Sequence, residues 1–367
     1  MKAIICGGGT VGHITPGISI AEVILKKEPK SEILFVGRVN GEENDVVKKR
    51  GFTQRFIEVT AIKRSLNLKN VKALGLLINA LKDAKKILKE ESPDVVIGTG
   101  GYVCWPVIRA AQKLKIPTLI HESNLTVGVA ARNLSKRCDR VLLNFKESEK
   151  EFSRRDNLTV VGNPLPDAFY NLKREDARAT LKLKNTDIFI LSLGGSGGAE
   201  TINKSAMSLM ESYCQKNASI KHLHATGKKY FKEMKEKYPE YARGKNGCRI
   251  TPFIDDMALY MKAADIIISR CGAMTLSEIC AAECIPILIP SPNVTNDHQY
   301  KNAKAFLDKG AAIMIEEREL NDAVLTDAVK YLERSPAIRK NMRKNLKEFK
   351  TEGAKEKIYR AVKEVIK

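Results

Sequence analysis

A two-domain α/β fold with a parallel sheet in each half is the fold class that the sequence predicts. Short apolar runs alternate with longer amphipathic stretches along the 367 residues, which is typical of parallel strands joined by helices. The pattern begins again after Gly162-Asn163-Pro164, and each half opens with a glycine-rich turn between a strand and a helix. At ~150 residues per domain, the chain is long enough for two similar domains.

The predicted strands are the short apolar runs, because strands that are buried on both faces of a sheet lack polar alternation. The first half contains six: Ala3–Cys6, Ile33–Val36, Val95–Gly98, Thr118–His121, Arg140–Leu143 and Leu158–Val161. The second half contains six: Ile188–Leu193, Lys221–Ala225, Cys248–Thr251, Ile266–Ser269, Ile285–Ile289 and Ala312–Ile315. We expect domains over 1–163 and 164–342, and a basic C-terminal helix over about 343–367 that packs back on the first domain.

The charge of the chain is strongly positive: 63 basic against 43 acidic residues give +20. Such an excess attracts phosphates on nucleotides, nucleic acids or anionic membranes, although it equally describes a solvated surface. Aromatic residues make up only 6% and do not interleave with basic ones, which argues against nucleic-acid binding. No apolar run reaches the ~18 residues of a membrane span, and no signal-peptide core is evident, so a cytoplasmic protein is expected.

Metal and cofactor binding are not predicted. The eight cysteines are scattered, and Cys280 and Cys284 are four residues apart with no histidine near them, which disfavours zinc. Asp255 and Asp256 are adjacent, but side chains of adjacent residues diverge and no third ligand is evident. We therefore expect no obligatory metal.

The first glycine-rich turn satisfies the dinucleotide fingerprint G-x-G-x-x-G at positions 7, 9 and 12. The next strand ends in Gly37-Arg38 and offers no carboxylate for a ribose, so Arg38 leaves only a weak case for NADP. Thr10 and His13 add polar groups to this turn. A dinucleotide is therefore the less favoured ligand.

Three further turns repeat the arrangement of strand, small residues and helix. They are Gly194–Ala199, Ser269–Glu278 and Gly98–Tyr102. Glycines let the backbone approach a diphosphate, and the amides of such a turn stabilise its charge. No G-x4-G-K-[ST] motif is present, so the chain is not a P-loop NTPase. Because loops at the carboxyl ends of parallel strands form the ligand crevice, we expect an interdomain cleft with a nucleotide diphosphate on one side and an acceptor on the other.

Several motifs in a fixed order resemble the MurG family of peptidoglycan UDP-N-acetylglucosamine transferases, members of glycosyltransferase family 28 with the GT-B fold. The motifs are Gly8–His13, Gly98–Val103, His121–Asn124, Val161–Pro164, Gly194–Ala199, Phe253–Met257, Arg270–Glu278 and Asp297–Gln299. The resemblance covers almost the whole chain. It departs from the family pattern at Pro166, where an arginine is usual, at Ser123 and at Trp105.

The resemblance implies an inverting transfer of GlcNAc from UDP-GlcNAc to the MurNAc 4-hydroxyl of lipid I, an undecaprenyl-linked acceptor. The product is lipid II, a precursor for cell wall growth, cell shape and division. Another UDP-sugar transferase with a different lipid acceptor, or a UDP-GlcNAc epimerase, remains an alternative. No cofactor is implied.

The resemblance also assigns roles to individual residues. His13 is the preferred catalytic base and Glu122 its rival, since a carboxylate in this role needs a pKa raised by burial. The residues that the resemblance places at the substrates are Thr10, Val11, Gly12, Asn124, Ser196, Ile254, Ala273, Met274, Thr275, Leu276, Ser277, Glu278 and Gln299. Among them, Ile254 would read uracil through its backbone and Glu278 would accept the ribose hydroxyls.

A lipid-linked acceptor implies peripheral attachment to the cytoplasmic face of the cell membrane. Residues 61–91 carry eight basic and three acidic side chains. The apolar stripe of this segment is assigned to the core: Leu74, Leu77, Ile78, Leu81, Ala84 and Leu88. The remaining apolar and basic residues are predicted to dock on anionic lipid: Leu66, Leu68, Lys69, Val71 and Lys72. An ordinary basic loop and helix is the competing interpretation.

Overall fold

Residues 1–9, 11–41, 43–60, 68–195, 197–294 and 297–366 are described by the computed structural model, without the side chains of residues 11 and 68–74. The chain divides into two units: unit 1 comprises Met1–Leu165 and Thr351–Lys367, and unit 2 comprises Pro166–Lys350. None of the described helices is long and apolar enough to cross a membrane.

Unit 1 is built on a parallel sheet with the strand order β3-β2-β1-β4-β5-β6-β7. Its strands are β1 Lys2–Cys6, β2 Glu32–Arg38, β3 Thr53–Ile57, β4 Val95–Gly98, β5 Thr118–Glu122, β6 Arg140–Leu143 and β7 Leu158–Val160. The sequence did not predict β3, whose residues are mostly polar and exposed because it forms one edge of the sheet. The other six strands of this sheet confirm the predicted segments.

Both faces of this sheet are buried. Successive side chains of a strand point to opposite faces, so the residues of one strand belong to two different clusters. Ile4 and Cys6 of β1 belong to one buried cluster, while Ala3 and Ile5 belong to another. The helices of unit 1 are α1 Val11–Lys27, α2 Asn44–Lys49, α3 Leu68–Glu91, α4 Cys104–Lys113, α5 Val129–Leu134 and, at the end of the chain, α16 Ala354–Ile366.

Helix α16 packs against the cluster on the Ala3 side through Ile358, Ala361 and Val362. Outside the core, Glu28 accepts hydrogen bonds from Tyr359 Oη and Lys363 Nζ at 2.8 and 2.7 Å. The helix predicted over about 343–367 is interrupted: residues 343–350 belong to unit 2, and only the segment from residue 351 onwards packs on unit 1. The interruption precedes α16 at Gly353, whose φ of +68° cannot continue a right-handed helix.

Unit 2 is built on a second parallel sheet with the order β10-β9-β8-β11-β12-β13. Its strands are β8 Ile188–Leu193, β9 Ile220–Ala225, β10 Cys248–Thr251, β11 Ile266–Ser269, β12 Ile285–Leu288 and β13 Ile313–Met314. All six predicted segments are confirmed. The helices are α6 Ala168–Asn171, α7 Arg174–Thr180, α8 Glu200–Ser212, α9 Lys228–Lys237, α10 Pro239–Arg243, α11 Met257–Ala263, α12 Ala273–Ala282, α13 His298–Asp308, α14 Asp322–Arg334 and α15 Pro336–Leu346.

A buried polar chain crosses the centre of unit 2. The Ser192 hydroxyl lies 2.7 Å from His222 Nε2 and 2.8 Å from His224 Nδ1. His224 Nε2 in turn lies 3.0 Å from the amide oxygen of Asn203, whose Nδ2 donates to the Thr226 carbonyl. Burial lowers the pKa of His222 to about 3 and that of His224 to about 4, so both rings are neutral. The chain connects the sheet interior with the loop that follows β9.

The eight cysteines are free and buried in the two units. They pack as small apolar residues, as their position in or beside apolar segments predicted.

Candidate active-site segments

Two glycine turns interlock at the carboxyl ends of β1 and β4, which are adjacent strands. A Cβ atom added at Gly101 would lie 1.8 Å from the Gly8 carbonyl oxygen, and one added at Gly100 would lie 2.4 Å from His13 Nδ1. Both glycines have positive φ, +114° at Gly100 and +80° at Gly101. The His13 ring, partly exposed, therefore rests on backbone that only glycine can supply. Gly12, in the same turn of α1, is exposed, while Thr10 and the Val11 side chain lie outside the described part of the chain.

Glu43 holds this turn in place, although the sequence analysis did not identify it. Its side chain is only 2% exposed, and Oε1 accepts the Gly9 N–H at 2.7 Å. Arg38 Nε lies 3.5 Å from the same oxygen. Arg38, the residue that left a weak case for NADP, is thus paired with Glu43. Because Glu43 also occupies an amide of the glycine turn, the binding of a dinucleotide phosphate at this turn is disfavoured. The sequence marks Glu43 only as an acidic residue in the loop after the next strand, β2.

Glu122, the rival base, organises the loop after β5. One of its oxygens accepts hydrogen bonds from Asn124 N and Asn124 Nδ2 at 3.0 and 3.2 Å, and the other accepts from Gly128 N at 3.0 Å. Burial raises the pKa of Glu122, while these hydrogen bonds oppose the rise. The preceding His121 is buried and lies 3.0 Å from the Gly162 carbonyl; burial lowers its pKa to about 4. Both oxygens of Glu122 are thus engaged, and Asn124 is positioned through it.

The glycine turn after β8 in unit 2 is open on one side. Cβ atoms added at Gly195 or Gly197 would meet none of the described residues within 4 Å, whereas one added at Gly198 would lie 2.3 Å from the Thr226 carbonyl oxygen. On the closed side, the main chain of Gly198 therefore packs directly against the main chain of Thr226. Ser196, which the resemblance places at the diphosphate, lies outside the described residues.

Ile254 follows β10 in a segment of irregular backbone. Its side chain is 4% exposed and so anchors the segment in the core. Within the described residues, its N–H and carbonyl make no hydrogen bond. An anchored residue with unused main-chain donor and acceptor groups suits the recognition of a planar base edge.

The turn after β11 leads into α12 and carries the predicted residues 273–278. Leu276 is fully buried and Ala273 is 6% exposed, so their side chains serve the core, while Met274, Thr275 and Ser277 are partly exposed. Glu278 makes no hydrogen bond or ion pair with the described residues. Burial alone raises the pKa of its carboxyl to about 7. A partly buried carboxyl that has no partner among the described residues is a strong candidate for a ligand contact.

Gln299, near the start of α13, binds the main chain of two neighbouring loops. Its Oε1 accepts from Cys271 N at 3.2 Å and from Ser291 N at 3.0 Å. This contact fixes the orientation of the amide and leaves its NH2 group as the donor. Arg270, by contrast, is bound internally to the carbonyls of Ile289 and Pro290, and its other end pairs with a glutamate.

The predicted membrane segment is only partly described. Leu66 lies outside the described residues, and Leu68, Lys69, Val71 and Lys72 fall in the first two turns of α3, where side chains are not described. The core assignment of Ile78 is wrong, since this residue is 52% exposed. The buried stripe of α3 is formed by Ala80, Ala84 and Leu88, and a residue two positions before Ala80 points away from it. Ile78 thus adds an apolar side chain to the exposed face.

Among the described residues, no group of three or more His, Cys, Asp or Glu side chains could hold a metal ion. Asp256 instead accepts the N–H of Leu259 at 3.1 Å and caps α11.

Comparison with known proteins shows the family of this chain. The glycosyltransferase family 28 N-terminal domain model matches residues 3–143, and the C-terminal domain model matches residues 189–358. A protein of Acetivibrio thermocellus is 40% identical over 100% of this chain and 99% of its own length. The chain belongs to glycosyltransferase family 28. That relative is named UDP-N-acetylglucosamine–N-acetylmuramyl-(pentapeptide) pyrophosphoryl-undecaprenol N-acetylglucosamine transferase, as is a Halalkalibacterium halodurans relative, 37% identical over 100% of both chains.

Solved structures place this family 28 enzyme in the GT-B fold. The crystal structure of Acinetobacter baumannii MurG matches it with a TM-score of 0.75 and 24% identity, covering 99% of both chains. A UDP-GlcNAc 2-epimerase of Neisseria meningitidis, solved with UDP-GlcNAc, matches with a TM-score of 0.67 and 15% identity over 99% of this chain and 100% of that one. At these identities the likeness concerns the fold alone, which confirms the predicted pair of Rossmann-like domains.

Proposed function

We propose that this glycosyltransferase moves GlcNAc from UDP-GlcNAc to the MurNAc 4-hydroxyl of lipid I and so forms lipid II. The observation that carries the proposal is the match of the whole chain, at 37–40% identity, to relatives that share one transferase name. The two glycine-turn regions described above support it, because the chemistry needs one site for a diphosphate donor and another for a hydroxyl acceptor.

The two units divide these tasks in the proposal: unit 1 binds the acceptor and the membrane, and unit 2 binds UDP-GlcNAc. In unit 1 the first glycine turn already has a carboxylate, Glu43, on its Gly9 amide. In unit 2 the turn at Gly195 and Gly197 is open. As far as the described residues show, the turn of unit 2 offers space beside glycine amides for a diphosphate, and the Gly9 amide of unit 1 does not.

The donor is held by groups that the sequence analysis selected. The free main-chain groups of Ile254 pair with uracil, and the carboxylate of Glu278 accepts hydrogen bonds from the ribose hydroxyls. The NH2 group of Gln299, oriented by two main-chain contacts, donates to a hydroxyl of the sugar. The turn amides stabilise the charge that develops on the departing UDP.

His13 acts as the base in the proposed step. The acceptor 4-hydroxyl gives its proton to the imidazole while its oxygen bonds to the anomeric carbon of GlcNAc. The bond from that carbon to the diphosphate breaks at the same time, its electron pair leaves with UDP, and attack from the opposite face inverts the configuration. Glu122 positions the loop with Asn124, since three hydrogen bonds occupy its oxygens.

Peripheral attachment to the cytoplasmic face of the membrane belongs to the same proposal. The start of α3 supplies Lys69 and Lys72, and Ile78 lies exposed two turns later. Anionic lipid attracts the lysines, and apolar side chains enter the interface. Charge reversal at Lys69 and Lys72 should weaken binding to anionic vesicles more than reversal at Lys85 and Lys89, farther along α3. Equal binding of all variants would contradict this docking surface.

The deciding experiment follows labelled GlcNAc from UDP-GlcNAc to purified lipid I or a short-chain analogue. His13→Ala is assayed beside the wild type, and we expect at least a ~100-fold lower turnover. A diacylglycerol acceptor and a reaction without acceptor serve as controls for the two alternatives. Transfer to diacylglycerol, or epimerisation of UDP-GlcNAc alone, would overturn the proposed acceptor.

A further inference from the structure

The start of α9 lies directly against the open glycine turn of unit 2. Gly227, the residue before α9, has a φ of +84°, and a Cβ atom there would lie 2.6 Å from the Cα of Gly198. A Cβ atom at Gly198 would in turn lie 2.8 Å from the Tyr230 ring. Lys228, the first residue of α9, is thus fixed at the edge of this turn.

Lys228 also reaches the segment that follows β10. Its Nζ lies 5.3 Å from the centre of the Phe253 ring, which is 41% exposed and directly precedes Ile254. The main chain of Lys228 thus starts beside the glycine turn, and its ammonium group lies over the ring that precedes Ile254. An exposed aromatic ring beneath an ammonium group restrains it at modest energetic cost.

Among the described residues, no carboxylate pairs with the ammonium group of Lys228. Lys204 and Arg270 differ in this respect, since Lys204 lies 2.7 Å from Glu200 and Arg270 contacts Glu317. A restrained cation without a counter-ion, next to open glycine amides, is suited to an anionic ligand.

We propose that Lys228 binds the diphosphate of the nucleotide donor and thereby complements the glycine turn. This inference rests on the proposed function of unit 2 as the donor site. It adds a positive side chain to a site whose other proposed contacts are main-chain amides and neutral or acidic side chains. Lys228 then contributes to the affinity for nucleotide diphosphates, and not to the affinity for the nucleoside.

The test measures binding of UDP and of uridine by calorimetry to the full-length protein. Lys228→Gln should weaken UDP binding roughly tenfold, since a charge-assisted contact to phosphate is lost, and should leave uridine binding within about twofold. Lys228→Arg should retain most of the UDP affinity. Lys229→Gln is the matched control, because Lys229 is also exposed on α9 and lies 5.1 Å from an aromatic ring, that of Tyr230.

Each outcome decides the inference. A loss confined to UDP and to Lys228→Gln supports it, as does a weaker salt dependence of UDP binding in that variant. Equal UDP affinity in Lys228→Gln and Lys229→Gln overturns it, and so does an equal loss for UDP and uridine, which would indicate a role at the base. If the wild type binds no UDP, the proposed donor site itself is wrong.

Discussion

The carboxylate of Glu43 accepts the main-chain N–H of Gly9 over 2.7 Å, and the two residues belong to different crossovers of the same sheet. A negative side chain thereby occupies an amide that a G-x-G-x-x-G turn would otherwise offer to a phosphate. The fingerprint in unit 1 is therefore stabilised as a scaffold beneath His13. The turn of unit 2 has open space and a cation at its edge instead.

We predict that Glu43→Ala lowers the free energy of unfolding by about 2 kcal/mol, because it leaves the Gly9 N–H without an acceptor and Arg38 without its ion-pair partner. GlcNAc transfer should fall, while calorimetry should show unchanged UDP binding. Glu22→Gln is the control: Glu22 also pairs with an arginine, Arg50, but is exposed and should cost less than ~0.5 kcal/mol. Equal stabilities of the two variants in urea unfolding would contradict the role of Glu43.

Gly101→Ala should abolish most of the transfer activity because the new methyl group would collide with the Gly8 carbonyl and displace the turn under His13. Gly51→Ala separates this collision from backbone strain, since Gly51 has nearly the same φ, +79° against +80°, but open space at the Cβ position. In both variants the positive φ should lower the free energy of unfolding by roughly 1 kcal/mol. Transfer assays should show the large loss only for Gly101→Ala; comparable losses would disprove the interlocking of the turns.

Glu278 should couple donor binding to pH. Its pKa of about 7 in the folded protein, against an ordinary value of 4.5, means that the folded state holds a proton that the unfolded state releases. Stability from this group is therefore complete below pH ~4.5 and is lost as pH rises through 7. Glu278→Gln should raise the stability at pH 8 by about 1–3 kcal/mol and weaken UDP binding. Wild-type UDP affinity should rise between pH 6 and 8, and a profile that is equally flat in both proteins would exclude this role.

The buried chain in unit 2 predicts acid sensitivity. His222 and His224 are neutral in the folded state, with pKa values of about 3 and 4, and their ordinary pKa is 6.5. Their contribution to stability is present above pH 6.5 and is lost as pH falls toward 4. Ser192→Ala removes the hydroxyl between the rings and should cost about 2–3 kcal/mol at pH 7 in urea unfolding. A change below ~0.5 kcal/mol would show that the rings find other partners.

The sequence predicted most of the fold because a buried parallel sheet is encoded locally, in short apolar runs between amphipathic stretches. Strand β3 was not predicted, since an edge strand needs no continuous apolar run. Ile78 was misassigned because its periodicity alone could not show which of two adjacent stripes faced the core. In both cases the sequence did not show how exposed the residues are in the folded protein.

The site could be predicted less completely. The glycine turns and Glu278 are visible as residues in a motif, but the raised pKa of Glu278 depends on its burial in the folded chain. Glu43 contacts a main-chain amide 34 positions away, and no side-chain pattern marks such a contact. Lys228 is one basic residue among 63 in the sequence, and what distinguishes it is its position directly after Gly227, which packs on Gly198, and the contact of its Nζ with the Phe253 ring.

The packing of α16 on unit 1 has a consequence for synthesis on the ribosome. Unit 2 is one continuous stretch, residues 166–350, and its polypeptide has been made before Ile358 and Val362 are translated. Unit 1 begins earlier, but the apolar surface beside Ala3 and Ile5 stays uncovered until those last residues emerge. Unit 1, whose synthesis begins first, therefore finishes folding last. A nascent chain halted before residue 351 exposes this apolar surface to chaperones.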